Sequence, residues 1–373
     1  MWTGRTAFLS PPFKKAGVEG LSLTDIKSMT LKELKALAAE RGLPAFRALQ
    51  VYRWLQRGVA GFDEMTDLPK DLREALAAGC YIAGAEIERK FRSRLDGTVK
   101  YLFRMHDGQL VESVLMRYLY GLTLCVSTQV GCRMGCAFCA TGKSGFSRNL
   151  APSEMLAQVQ AAQADAGERI SNLVLMGMGE PLENYDNVLR FLELVSSEEG
   201  MNVGMRHISL STCGIVDRIY DLAEKRLQLT LSVSLHAPND EIRSRLMPVN
   251  RRWGVEELLK ACRFYAEKTG RRISFEYAMI GGVNDSAACA RELAARLKGM
   301  LCHVNLIPVN SVKGSPFRKS TQARDRLFIR ILSESGITAT VRRTLGADIN
   351  ASCGQLRRRY EEEVANVESL QQK

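Results

Sequence analysis

Seven short apolar runs, "LTLCVST", "SNLVLMG", "HISLST", "LTLSVSLH", "ISFEYAMI", "HVNLIPV" and "ITATVRRT", alternate with helical segments between Leu122 and Thr344. That alternation restricts the fold more than any other feature. A strand, a covering helix and a second strand pack with the strands parallel and the crossover right-handed. The intervening helices are amphipathic: Val188, Phe191, Leu192 and Val195 fall at i, i+3, i+4 and i+7, as do Val255, Leu258, Leu259 and Cys262. At least six such units predict an α/β chain closed into a full or partial (β/α) barrel. The active site of such a barrel lies at the C-terminal ends of its strands.

The chain has 373 residues, room for a large α/β domain and an appendage. Residues 1–20, with Pro11-Pro12, read as a loose leader. Residues 21–90 read as a small helical accessory domain, since Thr30 and Glu33 form a capping-box pattern and "PAFRALQVYRWLQRG" has helical spacing. Residues 91–121 read as a hairpin linker, "VKYLFRM" and "LVESVLM" flanking the turn "HDGQ". The barrel then spans 122–350, and 351–373 is a polar loop and charged tail. Hydrophobic residues at 46% and charged residues at 25% fit a globular protein rather than a disordered or fibrous one. No window reaches the ~18 apolar residues of a membrane span, and the opening "MWTGRTAFLSPPFKK" lacks the apolar run of an export signal, so the expected location is the cytoplasm with no membrane partner.

A formal charge of +11 argues for a polyanionic partner, RNA or DNA. Arg47, Arg53 and Arg57, interleaved with Tyr52 and Trp54, suit phosphates and unstacked bases, although Trp54 on a helix is better read as core. The pairs Arg251-Arg252, Arg271-Arg272 and Arg342-Arg343 could add a basic rim to the barrel mouth.

Ten cysteines in a chain without an export signal point to metal binding, catalysis or burial rather than disulfides. "CVSTQVGCRMGCAFCATG" holds Cys132, Cys136 and Cys139 at CxxxCxxC spacing, with Cys125 just upstream. Structural zinc wants four protein ligands, usually as two separated pairs, and no second pair is present. A four-iron cluster normally takes four thiolates, so three would leave one iron open to an outside ligand. Next comes "LMGMGEPLEN", whose glycines would let a ligand approach the backbone or would simply make a tight turn. Finally "GADINASCGQL" presents Cys353 in a glycine-bounded loop.

The cysteine spacing, with Phe138 before the last thiol, resembles the signature of the radical S-adenosylmethionine (SAM) superfamily. Together with "MGMGEPL", "LSLHAPNDEIRSRLMPVN", "VNLIPVN" and the Cys353 loop it closely resembles the RlmN/Cfr family of RNA methyltransferases, over about residues 40–356. The resemblance implies a partial (β/α)6 barrel, a 4Fe-4S cluster on Cys132, Cys136 and Cys139, and SAM on the open iron. Gly179 and Glu180 would contact the SAM amino group, and Ser211, Ser234, Leu235, His236 and Asn310 match further SAM-contacting positions. The implied substrates are 23S rRNA and tRNA, methylated at C2 of adenine, a carbon too electron-poor to attack a SAM methyl group directly. Cys353 would take a methyl group from one SAM, and a second SAM would yield the radical that activates it for addition to C2. Glu112 would accept the C2 proton, and Cys125 would release the RNA by forming a transient disulfide with Cys353. An external flavodoxin-like or ferredoxin-like electron donor is implied, and no stable protein partner is expected. Cys80, Cys213, Cys262, Cys289 and Cys302 read as small buried hydrophobes. The chain departs from the family at Asn350 and Ser352, where Asp and Ala are frequent. The alternatives are Cfr-like methylation of C8 and a non-catalytic, zinc-stabilised RNA-binding protein.

Overall fold

The seven runs form seven parallel strands, Gly121–Cys125, Ile170–Leu175, Ile208–Thr212, Thr230–Ser234, Ile273–Met279, Cys302–Pro308 and Ala339–Val341, neighbours in space in the order of the chain. The computed structural model describes residues 22–143, 145–309 and 316–349, with 14–16, 351, 356 and 360 besides. Asn310, Asn350, Ser352, Cys353 and nearly all of the leader and tail lie outside the described residues. Helices Pro152–Ala166, Tyr185–Ser196, Val216–Glu224, Val255–Thr269, Ala287–Leu297 and Gln322–Glu334 follow the first six strands in turn. This is the expected partial (β/α)6 barrel, with Ala339–Val341 as a short seventh strand at its edge.

The two faces of the barrel's sheet differ in chemistry. Leu210, Leu231, Val233, Phe275, Val304 and Leu306 are buried in the main core with the helices. Their neighbours Ser209, Ser211, Ser232, Ser234, Ser274, Glu276 and Asn305 alternate to the other face, as the two-residue period of a strand requires. There they bond to one another: Ser209 and Ser232 lie 3.0 Å apart, and Asn305 Nδ2 donates to Glu276 Oε2 at 2.8 Å. A polar lumen of this kind is not filled by apolar layers as in a closed barrel, and it can receive a polar ligand.

Ahead of the barrel, Val99–Met105 and Leu110–Tyr118 pair antiparallel, and Leu110–Tyr118 also pairs with Gly121–Cys125. The hairpin thus continues the barrel's own sheet, and Ala85–Arg92 extends it to ten strands. Helices Leu31–Glu40, Ala45–Arg57 and Lys70–Gly79 precede it. Thr30 and Glu33 make the capping box in both directions, at 3.2 and 2.8 Å. This helical segment docks through polar groups as well as apolar ones. Gln160, on the first barrel helix, donates to the carbonyls of Leu55 and Gln56 at 2.8 and 3.0 Å, satisfying last-turn acceptors that the helix itself leaves open. Arg190 bonds Glu33 and Arg53 bonds Glu199 across the same seam. Among the described residues no helix is long and apolar enough to cross a membrane.

Candidate active site

Beyond the first parallel strand, Gln129–Gly131 pairs with Phe146–Asn149 and pinches the cysteine loop at its neck. Gly131, at φ +82°, must be glycine: a Cβ there would fall on the Gly145 carbonyl. The loop is fixed at both sides, since Cys132 N donates to Gly145 O at 2.8 Å and Ala137 N to Leu246 O at 2.9 Å. Cys132, Cys136 and Cys139 come together on the wall of a cavity of about 300 Å³, which Gly179, Glu180, Ser211, Ser234 and His236 also line. Leu235, by contrast, is fully buried in the apolar core and does not line the cavity. Burial raises the Cys136 thiol well above its ordinary pKa and pushes Cys132 up to about 12.

The glycines of "GMGE" have a structural reason beyond ligand approach. A Cβ on Gly177 would lie 2.7 Å from both Ser127 Oγ and Val126 O, and one on Gly179, at φ +106°, 2.6 Å from Gln129 Cβ. They let this turn close against the segment leading to the cysteines. Glu180 locks it: its backbone N–H donates to Gln129 Oε1 at 2.9 Å, and its carboxylate accepts from Cys213 N at 2.7 Å and Leu182 N at 3.0 Å. Burial raises the pKa of this carboxyl. Cys213, read from sequence as a core thiol, is buried but lines the cavity, as does Arg342.

His236 sits at φ +57°, in the left-handed region that few non-glycine residues adopt. Its carbonyl accepts from Asn284 Nδ2 at 2.7 Å, and its Nδ1 accepts from the Ala278 N–H at 2.9 Å. A ring whose Nδ1 accepts must carry its proton on Nε2. Burial, helped by Arg243, lowers its pKa to about 3, so at neutral pH it is an uncharged donor beside the cavity. Phe138 meets it edge-on at 4.8 Å.

Three charged residues of the site escaped sequence reading, one of them Glu276, which lines the cavity. Arg243, fully buried on the helix Asp240–Leu246, donates to Leu235 O at 3.1 Å, Asn250 Oδ1 at 3.0 Å, Cys213 O at 2.6 Å and Ser234 O at 3.1 Å. It ties together the ends of two strands that line the cavity. Its only sequence signal is its place inside the run "LSLHAPNDEIRSRLMPVN". The third is Lys100, whose Nζ lies 3.0 Å from Glu112 Oε2, both side chains withdrawn from solvent. Read without the family, a glutamate on a hairpin would face water. Glu112 does not, because both faces of its strand are covered, every residue from Leu110 to Met116 being buried.

Cys125 faces the same side of that sheet. It pairs with Val114, which shares a face of its strand with Glu112 and Met116, two residues to either side. Val114, Met116 and Cys125 form a small apolar cluster with Met176, Leu345 and Ala351 around it. Met176 also lines the cavity, so one side chain joins the two. The approach to Ala351 is held from the turn after Ala85–Arg92: Asp96 accepts from Gly346 N at 2.8 Å, and Asp348 accepts from Ser93 Oγ at 2.7 Å and Arg94 N at 2.9 Å.

Residues 126–291 match the Radical SAM superfamily, and residues 24–82 match the ribosomal RNA large subunit methyltransferase N-terminal domain. The chain is 52% identical over 336 residues to the "Probable dual-specificity RNA methyltransferase RlmN" of Alkaliphilus oremlandii, covering 90% of this chain and 98% of that one. It is 50% identical to the protein of the same description from Clostridium tetani, covering 91% and 97%. A crystal structure of a radical SAM methyltransferase from Sphaerobacter thermophilus superposes with a TM-score of 0.85 at 48% identity, covering 89% and 98%. These matches set aside the non-catalytic, zinc-stabilised alternative.

The residues present fit the cofactors of this superfamily, a 4Fe-4S cluster and SAM. Three thiols line one cavity, yet among the described residues no three His, Cys, Asp or Glu side chains converge as they would on a single ion. Ligands of a four-iron cluster bind different irons and stand further apart. The rest of the wall, with its strand-end serines, the His236 donor and the Glu180 carboxyl, offers both donors and acceptors to a polar ligand. By sequence over nearly its whole length and by its fold, the chain belongs to the RlmN family of radical SAM methyltransferases.

Proposed function

We propose that the enzyme methylates C2 of an unpaired adenine in 23S rRNA and of the adenine beside the anticodon in tRNA. The observation that carries this reading is the join between the cavity and the Cys125 cluster through Met176, with Ala351, two residues before Cys353, packed on that cluster. When bound, the cluster and SAM supply a carbon radical able to attack an electron-poor ring. Cys132, Cys136 and Cys139 hold the cluster, while Gly179, Glu180, Ser211, Ser234, Leu235, His236 and Asn310 bind SAM, Leu235 through its backbone. Cys353 carries the methyl group as S-methylcysteine and becomes bonded to the RNA base. Glu112, held by Lys100, accepts the C2 proton, and the Cys125 thiolate then attacks the Cys353 sulfur: the S–S bond forms as the S–CH2 bond breaks, the freed carbon takes a proton to become the methyl group, and the electron left unpaired by the radical addition is handed back to the redox chain. Each turnover consumes two SAM molecules and draws its electron from a flavodoxin-like or ferredoxin-like donor in the cytoplasm.

In this reading the helical region 21–90 handles RNA, 91–121 links it to the barrel 122–350, and 351–373 carries the methyl-bearing loop. The substrate adenine must be unstacked to reach the cavity.

The test is anaerobic reaction of reconstituted enzyme with 23S rRNA, a reductant and SAM bearing a trideuterated methyl, followed by digestion and mass analysis. The expected product is 2-methyladenosine that has lost one of the three deuteriums. A product at C8 would move the chain to Cfr-like chemistry, and a methyl retaining all its deuterium would rule out the route through Cys353.

A further inference from the structure

Arg243 is a buried cation with no carboxylate bonded to it; Asp240, which accepts from Asn250 Nδ2 at 2.9 Å, stands one hydrogen bond further off behind the Asn250 amide. All four of its hydrogen bonds end on uncharged oxygens, three backbone carbonyls and the Asn250 amide. Among the described residues no acidic side chain forms an ion pair with it. Removing an ionised group from water costs several kcal/mol unless an opposite charge offsets it. Uncharged side chains could bridge strand ends at lower cost, so the charge itself calls for an account.

A closer anion than Asp240 has a place. The helix carrying Arg243 is the one on which the cysteine loop rests, through Ala137 N and Leu246 O at 2.9 Å. Cys136 packs in one cluster with Cys213, Leu246 and Met247, and the Arg243 guanidinium holds the Cys213 carbonyl at 2.6 Å. A four-iron cluster on three thiolates is a net anion when oxidised and gains a further negative charge when reduced. A fixed buried cation nearby therefore stabilises the reduced form more than the oxidised one, and the potentials of such clusters follow local charge.

We propose that Arg243 is a positioning residue that sets the reduction potential of the cluster, raising it by supplying the buried counter-charge for the added electron. The proposal rests on the reading of Cys132, Cys136 and Cys139 as the cluster's ligands. The electron enters singly from the external donor, and Arg243 neither gains nor loses a proton.

The test is a potentiometric titration of the reconstituted enzyme followed by electron paramagnetic resonance, with iron and sulfide measured on each sample. Arg243→Gln should make the one-electron reduction at least tenfold less favourable, a fall of about 59 mV in midpoint. Arg243→Lys, which keeps the charge but not the hydrogen-bonding pattern, should stay near the parent. Asn250→Asp combined with Asp240→Asn keeps one amide–carboxylate pair between the two positions but moves the carboxylate to the acceptor 3.0 Å from Nη1; the exchanged variant should lower the midpoint in the same direction. A loaded Arg243→Gln enzyme with the parent midpoint overturns the proposal, as does an equal fall in the Gln and Lys variants, which would mark a purely structural role. Where Arg243→Gln does not retain iron, an unchanged midpoint in the exchanged Asn250→Asp, Asp240→Asn variant overturns it. A parent enzyme that assembles no four-iron cluster sinks the reading of the cysteines instead, so the two failures are distinct.

Discussion

Lys100 and Glu112 face each other at 3.0 Å with side chains 1% and 0% exposed. Breaking such a pair from one side leaves a buried charge uncompensated, at a cost of about 3–5 kcal/mol, whereas replacing both members by apolar groups can be nearly neutral. Lys100→Met should therefore lower unfolding free energy by about that amount in urea titration, and Lys100→Met with Glu112→Leu should recover most of it. A single variant as stable as the parent would mean that the pair is not buried as described. Neither member could have been placed from the chain alone. "VKYLFRM" and "LVESVLM" read correctly as hairpin strands, but a local pattern does not say that both faces of a hairpin are covered. Glu112 came from the family resemblance, and Lys100 from nothing in the sequence. The glycines of "GMGE" were legible as a special turn; that Gly179 must clear Gln129 was not, because the contact spans 50 residues of chain and depends on the register of two loops.

The seven parallel strands were legible because each is a short apolar run followed by an amphipathic helix, and their order follows from the crossover rule. The cysteine loop was legible from spacing. What tethers the segment leading to Cys353 was not, since its partners come from a turn some 250 residues earlier. Asp96 binds Gly346 N and Thr98 N; burial opposes its ionisation, but these hydrogen bonds hold its pKa down to about 2. Such a carboxylate contributes stability above its unfolded value near 4 and loses it only as pH falls through about 2. At working pH the tether is always charged. Asp96→Asn keeps the shape and weakens the bonds, for a stability loss of about 1 kcal/mol. Its rate of methyl uptake onto the protein from labelled SAM should fall several-fold, with cluster content unchanged. A parent rate would show that the tether does not position the loop.

Across the protein as a unit, the basic balance that suggested a polyanion is less available on the N-terminal helices than the sequence implied. Tyr52 is buried, Arg53 is engaged by Glu199, and Trp54 donates to Asp67 at 2.6 Å, so the stripe of arginines and aromatics is partly the seam with the barrel. Arg342, one of the pairs assigned to a basic rim, instead lines the cavity. The parts that would carry catalysis lie along one line of contact, from the three thiols through Met176 to the Cys125 cluster and Ala351. The proposed mechanism turns on one covalent step, in which RNA becomes bonded to Cys353 and is released by Cys125. The most direct measurement is mass analysis of Cys125→Ala after reaction with SAM, reductant and RNA, with Cys353→Ala in parallel. Cys125→Ala should yield an RNA fragment bonded through a methylene to the Cys353 peptide, and Cys353→Ala should show no methyl uptake at all. Free methylated RNA at the parent rate from either variant would contradict that mechanism.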